Sequence, residues 1–207
     1  ARPDREEMIP SLSRVLSDQL SADIQKIQPQ AEGATARRAL RRLQAVAEHF
    51  PAFLLLLAEP WIEEAISGHT QAVLVHCARI HLYARILDDA LDENLPIYRH
   101  NLLRAQTLLW QSAQALCSGE AGLDAEALRL IGDTVNAVQS DDKQRSPAHW
   151  GAKNHHLLLA PLLLSGHSQA YQRCRPGLST LIALVQAGDE WRQGEMLADE
   201  VRGEFLS

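Results

Sequence analysis

The sequence is short of almost every feature that marks a specialised class of protein. It has three cysteines in 207 residues. Cys77, Cys117 and Cys174 are widely separated and lack the paired spacing of a zinc site or a disulfide framework, so a reducing cytoplasm fits best. Long apolar runs are absent. The longest, Phe53 to Ala58 between Pro51 and Pro60, falls far below the roughly 20 residues that a membrane span needs. The first residues, Ala1 to Glu7, lack the apolar centre of a secretory signal. Positive charge is in deficit: 20 Lys and Arg face 26 Asp and Glu, a net charge of −6, which argues against nucleic acid as a partner. Alternation of β-branched or aromatic residues with polar ones is scarce, so no strands are expected. A soluble cytoplasmic protein is the expectation.

What the chain does have is 46% hydrophobic content, dominated by the helix formers Ala and Leu, with Gln, Arg and Glu between them. That is enough apolar material for one core, and residues 1–207 read as a single all-α domain. Breakers at residues 29–33, 51, 60, 68, 96, 118–122, 147, 166 and 176–177 divide it into a bundle of seven or eight helices. These fall near 11–27, 34–48, 70–93, 97–117, 124–139, 147–165 and 177–202, with 51–66 broken or bent. Along 70–93, Val73, His76, Cys77, Ile80, Ala84, Leu87 and Leu91 follow the three-and-four spacing of a core-facing stripe.

The end of that helix reads Asp88-Asp89-Ala90-Leu91-Asp92-Glu93. Asp88 and Asp92 are four apart and share a face, while Asp89 is turned about 100° away. Like charges at this spacing repel, and a helix C-terminus disfavours negative charge. Mg²⁺, which takes oxygen ligands from one or two carboxylates and from substrate phosphates, would offset both effects. The same acids also read as a solvated helix end. A second oxygen-rich face lies at Gln186, Asp189 and Gln193, with Glu190 beside them, and it too reads as an ordinary exposed helix end when taken alone. Between the two, Lys153-Asn154-His155-His156 opens the apolar run Leu157 to Leu164. At the head of a buried helix a Lys can present its ammonium to phosphate. The other reading is a polar helix start, with His155 and His156 capped or partly exposed.

In this order, the three segments resemble the class I isoprenoid synthases, in particular the trans-prenyltransferase (polyprenyl diphosphate synthase) branch. Asp88-Asp89-Ala90-Leu91-Asp92 is similar to the family's first aspartate-rich motif, Lys153-Asn154-His155 to its diphosphate-contacting Lys segment, and Gln186 to Gln193 to its second acidic motif. The resemblance implies a helical bundle of the isoprenoid (terpenoid) synthase type around a central apolar cavity. Asp88 and Asp92 on one wall and Asp189 on the other would hold Mg²⁺, and Lys153 would assist as an allylic prenyl diphosphate ionises. Asp88, Asp92 and Lys153 then carry the catalysis. Asp89, Tyr83, Arg99, Lys153, Gln186 and Glu190 would contact substrate, Tyr83 closing the cavity floor to favour a short prenyl chain. A homodimer is the assembly implied. Tyr83 reads equally as a core aromatic.

The sequence departs from the family at several points. Arg37, Arg38, Arg41 and Arg42 stand where a Gly-Lys-Arg loop is usual; Arg38 and Arg42 share a face from which one pair could reach a phosphate, but a solvated basic face is the better reading. Arg99 alone replaces a pair of arginines, and Glu190 and Gln193 replace two aspartates. Single-substrate chemistry, or transfer to another acceptor, therefore fits better than chain elongation. The alternative is a non-catalytic subunit or binding protein that modulates a partner synthase.

Overall fold

A computed structural model describes residues 5–28, 32–62, 68–91, 95, 99–118, 130–132, 136, 147–166 and 168–194. Within them the chain is helical without strands, as its composition predicts. The helices described from end to end are α1 (Arg5–Ile27), α2 (Gly33–Ala58), α3 (Gly68–Leu91), α4 (Arg99–Ser118), α5 (Pro147–Lys153), α6 (His156–Ser165) and α7 (Ser168–Gln193), with a 3-10 turn at Glu59–Trp61. Most of the helix expected near 124–139 lies outside the described residues. No described helix is long and apolar enough to cross a membrane. The chain divides into two compact units, Ala1–Leu123 and Asp124–Ser207.

In the first unit α3 is central, packing against α1, α2 and α4. Helix α1 turns one stripe inward, Leu12, Leu16, Leu20, Ile24 and Ile27, all buried, the spacing that puts side chains on one helical face. The sequence reading of α3 needs a correction. Its fully covered residues are Leu74, Cys77, Ala78 and Leu82, with Ile86 nearly so, while Leu87 is only half-buried. A helix packed on three neighbours buries more than one narrow stripe. As a result, the face carrying Leu82 and Ile86 also carries Asp89.

A second correction concerns Pro51. It was expected to break the chain, but α2 runs through it to Ala58. Proline removes one backbone hydrogen bond. Here Leu54, Leu55, Leu57 and Ala58 beyond it are all buried, and that burial, at about 1.5–3 kcal/mol for each large side chain, outweighs the missing bond. Pro176 and Gly177 are likewise absorbed inside α7, where the Thr180 hydroxyl donates to the Pro176 carbonyl at 2.9 Å.

In the second unit α5 and α6 both pack on α7. Trp150, Ala183 and Ala187 form a small buried cluster. A β-carbon on Gly151 would run into the Ser179 hydroxyl, so the missing side chain lets α5 approach α7 closely. The expected helix 147–165 is broken at Asn154 and His155. There the Asn154 amide side chain donates to the Trp150 carbonyl at 3.0 Å, and the Leu157 N–H turns back to the Asn154 carbonyl at 3.0 Å. Asn competes for backbone partners in this way. Helix α6 is apolar all round and ends on Gly166 at φ +58°, a left-handed cap suited to glycine.

Candidate functional site

The acidic end of α3 is built from two helices of the first unit. Asp88 accepts a hydrogen bond from Arg85 Nη1, one turn earlier, at 2.7 Å. Asp89 accepts one from Arg42 Nε of α2, also at 2.7 Å. These two arginines supply the positive charge that the C-terminus of a helix favours. Arg42 was read from the sequence as part of a solvated basic face. It reaches the acidic motif instead, because Ala39, Leu43 and Val46 around it are buried and hold that side of α2 against the core.

Asp89 is the more deeply placed carboxylate, with a side chain 6% exposed against 25% for Asp88. Its Oδ1 is taken by Arg42, and its Oδ2 is buried with no hydrogen-bond partner among the described residues. Beside it, a cavity of about 20 Å³ is lined by Gln28, Leu43, Ile86, Leu95 and Asn101 among others, which is space for about one water molecule. The Leu95 N–H closes the helix end on the Asp89 carbonyl at 2.9 Å. Burial pushes the Asp89 carboxyl above the usual carboxylate range, against the opposing pull of Arg42. An ion pair at 2.7 Å does not reverse the cost of losing water.

Of the other expected residues, Asp92 lies outside the described residues, as does the side chain of Arg99, which opens α4. Tyr83 is half-buried, its hydroxyl pushed above the usual value by burial. It lines neither of the two clefts described in this unit.

The second unit carries the remaining candidates. On α7, Gln186 Nε2 donates to Glu190 Oε1 at 3.2 Å. Glu190 Oε2 is buried and accepts no hydrogen bond among the described residues. Asp189 is exposed and lies 3.8 Å from Arg192. Lys153 was expected at the head of the apolar helix, but it is the last residue of α5, half-buried and three residues before α6 begins. His155 and His156, expected to be capped or partly exposed, are 5% and 2% exposed, and His155 Nδ1 sits 3.2 Å from the Leu130 carbonyl.

The chain matches no family model, no curated protein and no solved structure. The resemblance of its motifs to isoprenoid synthases therefore rests on the residues themselves.

Their donor chemistry suits a hard divalent cation, since Asp88, Asp89, Asp189, Glu190 and Gln186 offer oxygen. Among the described residues, no three His, Cys, Asp or Glu side chains cluster as a ready-made metal site. In each unit taken by itself, what suits a cation is one buried carboxylate oxygen without a hydrogen bond among the described residues, Asp89 Oδ2 in the first and Glu190 Oε2 in the second. A buried charged acceptor left unsatisfied costs about 1–3 kcal/mol or more. Cys77 offers no competing chemistry: burial pushes its thiol up to about 12, so no thiolate forms at neutral pH.

One polar pair escaped the sequence reading. Asp23 of α1, 2% exposed, accepts from Arg79 of α3 through Nε at 2.7 Å and Nη2 at 3.3 Å. A signal for it existed. Asp23 follows Leu16 by seven residues and Leu20 by three, so it lies on the apolar face of α1, where a charge requires a partner.

Proposed function

We propose that this chain is a Mg²⁺-dependent enzyme that ionises a short allylic prenyl diphosphate for prenyl transfer or cyclisation. One observation carries the reading: each acidic segment that resembles an isoprenoid synthase motif contains one buried carboxylate oxygen without a hydrogen bond among the described residues, Asp89 Oδ2 on α3 and Glu190 Oε2 on α7. Unsatisfied buried oxygens at functional positions call for an unseen partner. A metal ion is the partner that acidic oxygens favour.

In this reading Asp88, Asp89 and Asp92 in the first unit, and Asp189 and Glu190 with Gln186 beside them in the second, would each offer oxygen ligands to Mg²⁺. Mg²⁺, when bound, supplies neutralisation of the leaving diphosphate. Lys153 adds a point charge toward phosphate. Arg85 and Arg42 hold Asp88 and Asp89 in position at the end of α3, and their guanidinium groups carry the kind of donors that would suit phosphate.

The test is release of diphosphate from dimethylallyl, geranyl and farnesyl diphosphates with Mg²⁺. Turnover of at least one is expected, abolished by a chelator and lowered at least about a hundredfold by Asp88→Asn. A folded protein that releases diphosphate from none of them removes the enzymatic reading.

A second reading is favoured by a different observation. Asp88 and Asp89 already have arginine partners within the chain, and the cavity beside Asp89 measures about 20 Å³. An acidic end whose charges are paired within the chain fits a non-catalytic subunit that keeps the motif for structure and modulates a partner synthase. In that case Asp88→Ala leaves function intact, and co-purification recovers the synthase.

A further inference from the structure

The larger opening in the first unit is a cleft of about 330 Å³ between α1, α3 and α4. That volume lies in the range of small-molecule sites, which begin near 300 Å³. Its walls bring together Lys26, Arg79, Arg104, Thr107, Ile27 and Leu108. In a chain of net charge −6, three cations around one opening are a local reversal of sign, and a lined cleft focuses such a field on anions.

The charges in the cleft are unequally committed. Asp23 neutralises Arg79 through two nitrogens, leaving Nη1 without a hydrogen bond among the described residues. Lys26 and Arg104 are exposed and make no ion pair among the described residues. Arg104 Nη1 donates to the Lys26 carbonyl at 3.2 Å, which fixes one edge of its guanidinium and leaves the rest of the fork to an oxyanion. The Thr107 hydroxyl donates to the Leu103 carbonyl at 2.9 Å, so its oxygen can accept from a ligand hydroxyl. Ile27 and Leu108 give the cleft an apolar side.

We infer that this cleft binds a phosphate monoester on a small carbon skeleton. Lys26 and Arg104 leave a surplus of two positive charges after Asp23 and Arg79 cancel. That surplus matches a phosphate monoester, which carries about −1.5 to −2 at neutral pH, better than a carboxylate of charge −1. The site is separate from the acidic end of α3. Arg79 and Asp89 are ten residues apart on one helix, about 15 Å along its axis.

The experiment is calorimetric titration of the full chain with glycerol 3-phosphate as probe, at fixed ionic strength and with a chelator present. Saturable binding of one molecule per chain is expected, weakened at least about tenfold in the double variant Lys26→Ala/Arg104→Ala. Both side chains are exposed, so the variant should keep its fold, as judged by its helical circular dichroism. Acetate should bind at least about tenfold more weakly than the phosphate probe. No saturable binding, equal binding by the double variant, or equal affinity for acetate overturns the inference. Because no magnesium is present, the outcome does not depend on the reading of the acidic motifs.

Discussion

Among the described residues, helix α3 makes two cross-helix ion pairs of opposite polarity, and they have different consequences. Near its middle, Arg79 meets Asp23 of α1; at its end, Asp89 meets Arg42 of α2; the shortest contact is 2.7 Å in both. The first pair joins through two nitrogens and borders a cleft that holds two more cations. The second joins through one, leaving a carboxylate oxygen buried without a hydrogen bond among the described residues, beside a cavity the size of a water molecule. Pairing alone therefore does not set the character of a site. What decides it is what is left over, two cations around Arg79 and, at Asp89, a carboxylate oxygen without a hydrogen bond among the described residues.

Removing one partner from each pair sharpens that contrast most. Asp23→Ala leaves Arg79, whose side chain is 19% exposed, as an uncompensated charge that cannot give up its proton, and a loss of about 3 kcal/mol is expected by urea denaturation. Arg42→Ala should cost less, about 1–2 kcal/mol, because Asp89 can take up a proton where burial already raises its carboxyl. The comparison breaks if Arg42→Ala proves the more damaging of the two.

The region around Arg79 should also respond to acid through His76, whose Nδ1 lies 3.3 Å from the buried Ser112 hydroxyl. Burial first, and then the charge of Arg79, hold the His76 imidazole below its ordinary value, while Asp23 works in the opposite direction. The folded protein thus binds this proton less readily than the unfolded chain. Its contribution is fully present above the unfolded value near 6.5 and is lost as pH falls through the lower folded value. Denaturation curves from pH 7.5 to 5 should show wild-type stability falling more steeply than that of His76→Gln. Equal slopes would mean that His76 does not couple folding to pH.

The smallest effect belongs to Asp189, which has no cross-helix partner among the described residues. Asp189 and Arg192 are 57% and 75% exposed and 3.8 Å apart. Asp189→Asn should change stability by no more than about 0.5 kcal/mol. A larger loss would put Asp189 in the same class as Asp89.

The helical class was legible in the sequence because apolar residues recur at helical spacing and strand alternation is missing. Helix ends were less so. Pro51 and Pro176 are local breakers, yet packing beyond each carries the helix through, and that depends on neighbours that no short window contains. Asn154 sits in an ordinary helical pattern, yet the chain turns there, with the Leu157 N–H returning to the Asn154 carbonyl and the Asn154 side chain bonded to the Trp150 carbonyl. At the site, the acidic residues could be found by spacing, but their ranking could not. Asp88 stood out by its distance from Asp92, whereas Asp89 lies deeper because it follows Leu82 and Ile86 on the covered face. Arg42 was one of four arginines within six residues, and only the packing of α2 on α3 selects it. Asp23 could have been recognised by its place on an apolar stripe.

The proposal that the acidic segments serve a Mg²⁺-dependent prenyl diphosphate chemistry is tested most directly by calorimetric binding of farnesyl thiolodiphosphate, an unreactive analogue. Binding that requires Mg²⁺ and is weakened at least about tenfold by Asp88→Asn and, separately, by Glu190→Gln is the predicted result. Binding that ignores Mg²⁺, or survives either substitution unchanged, would contradict it.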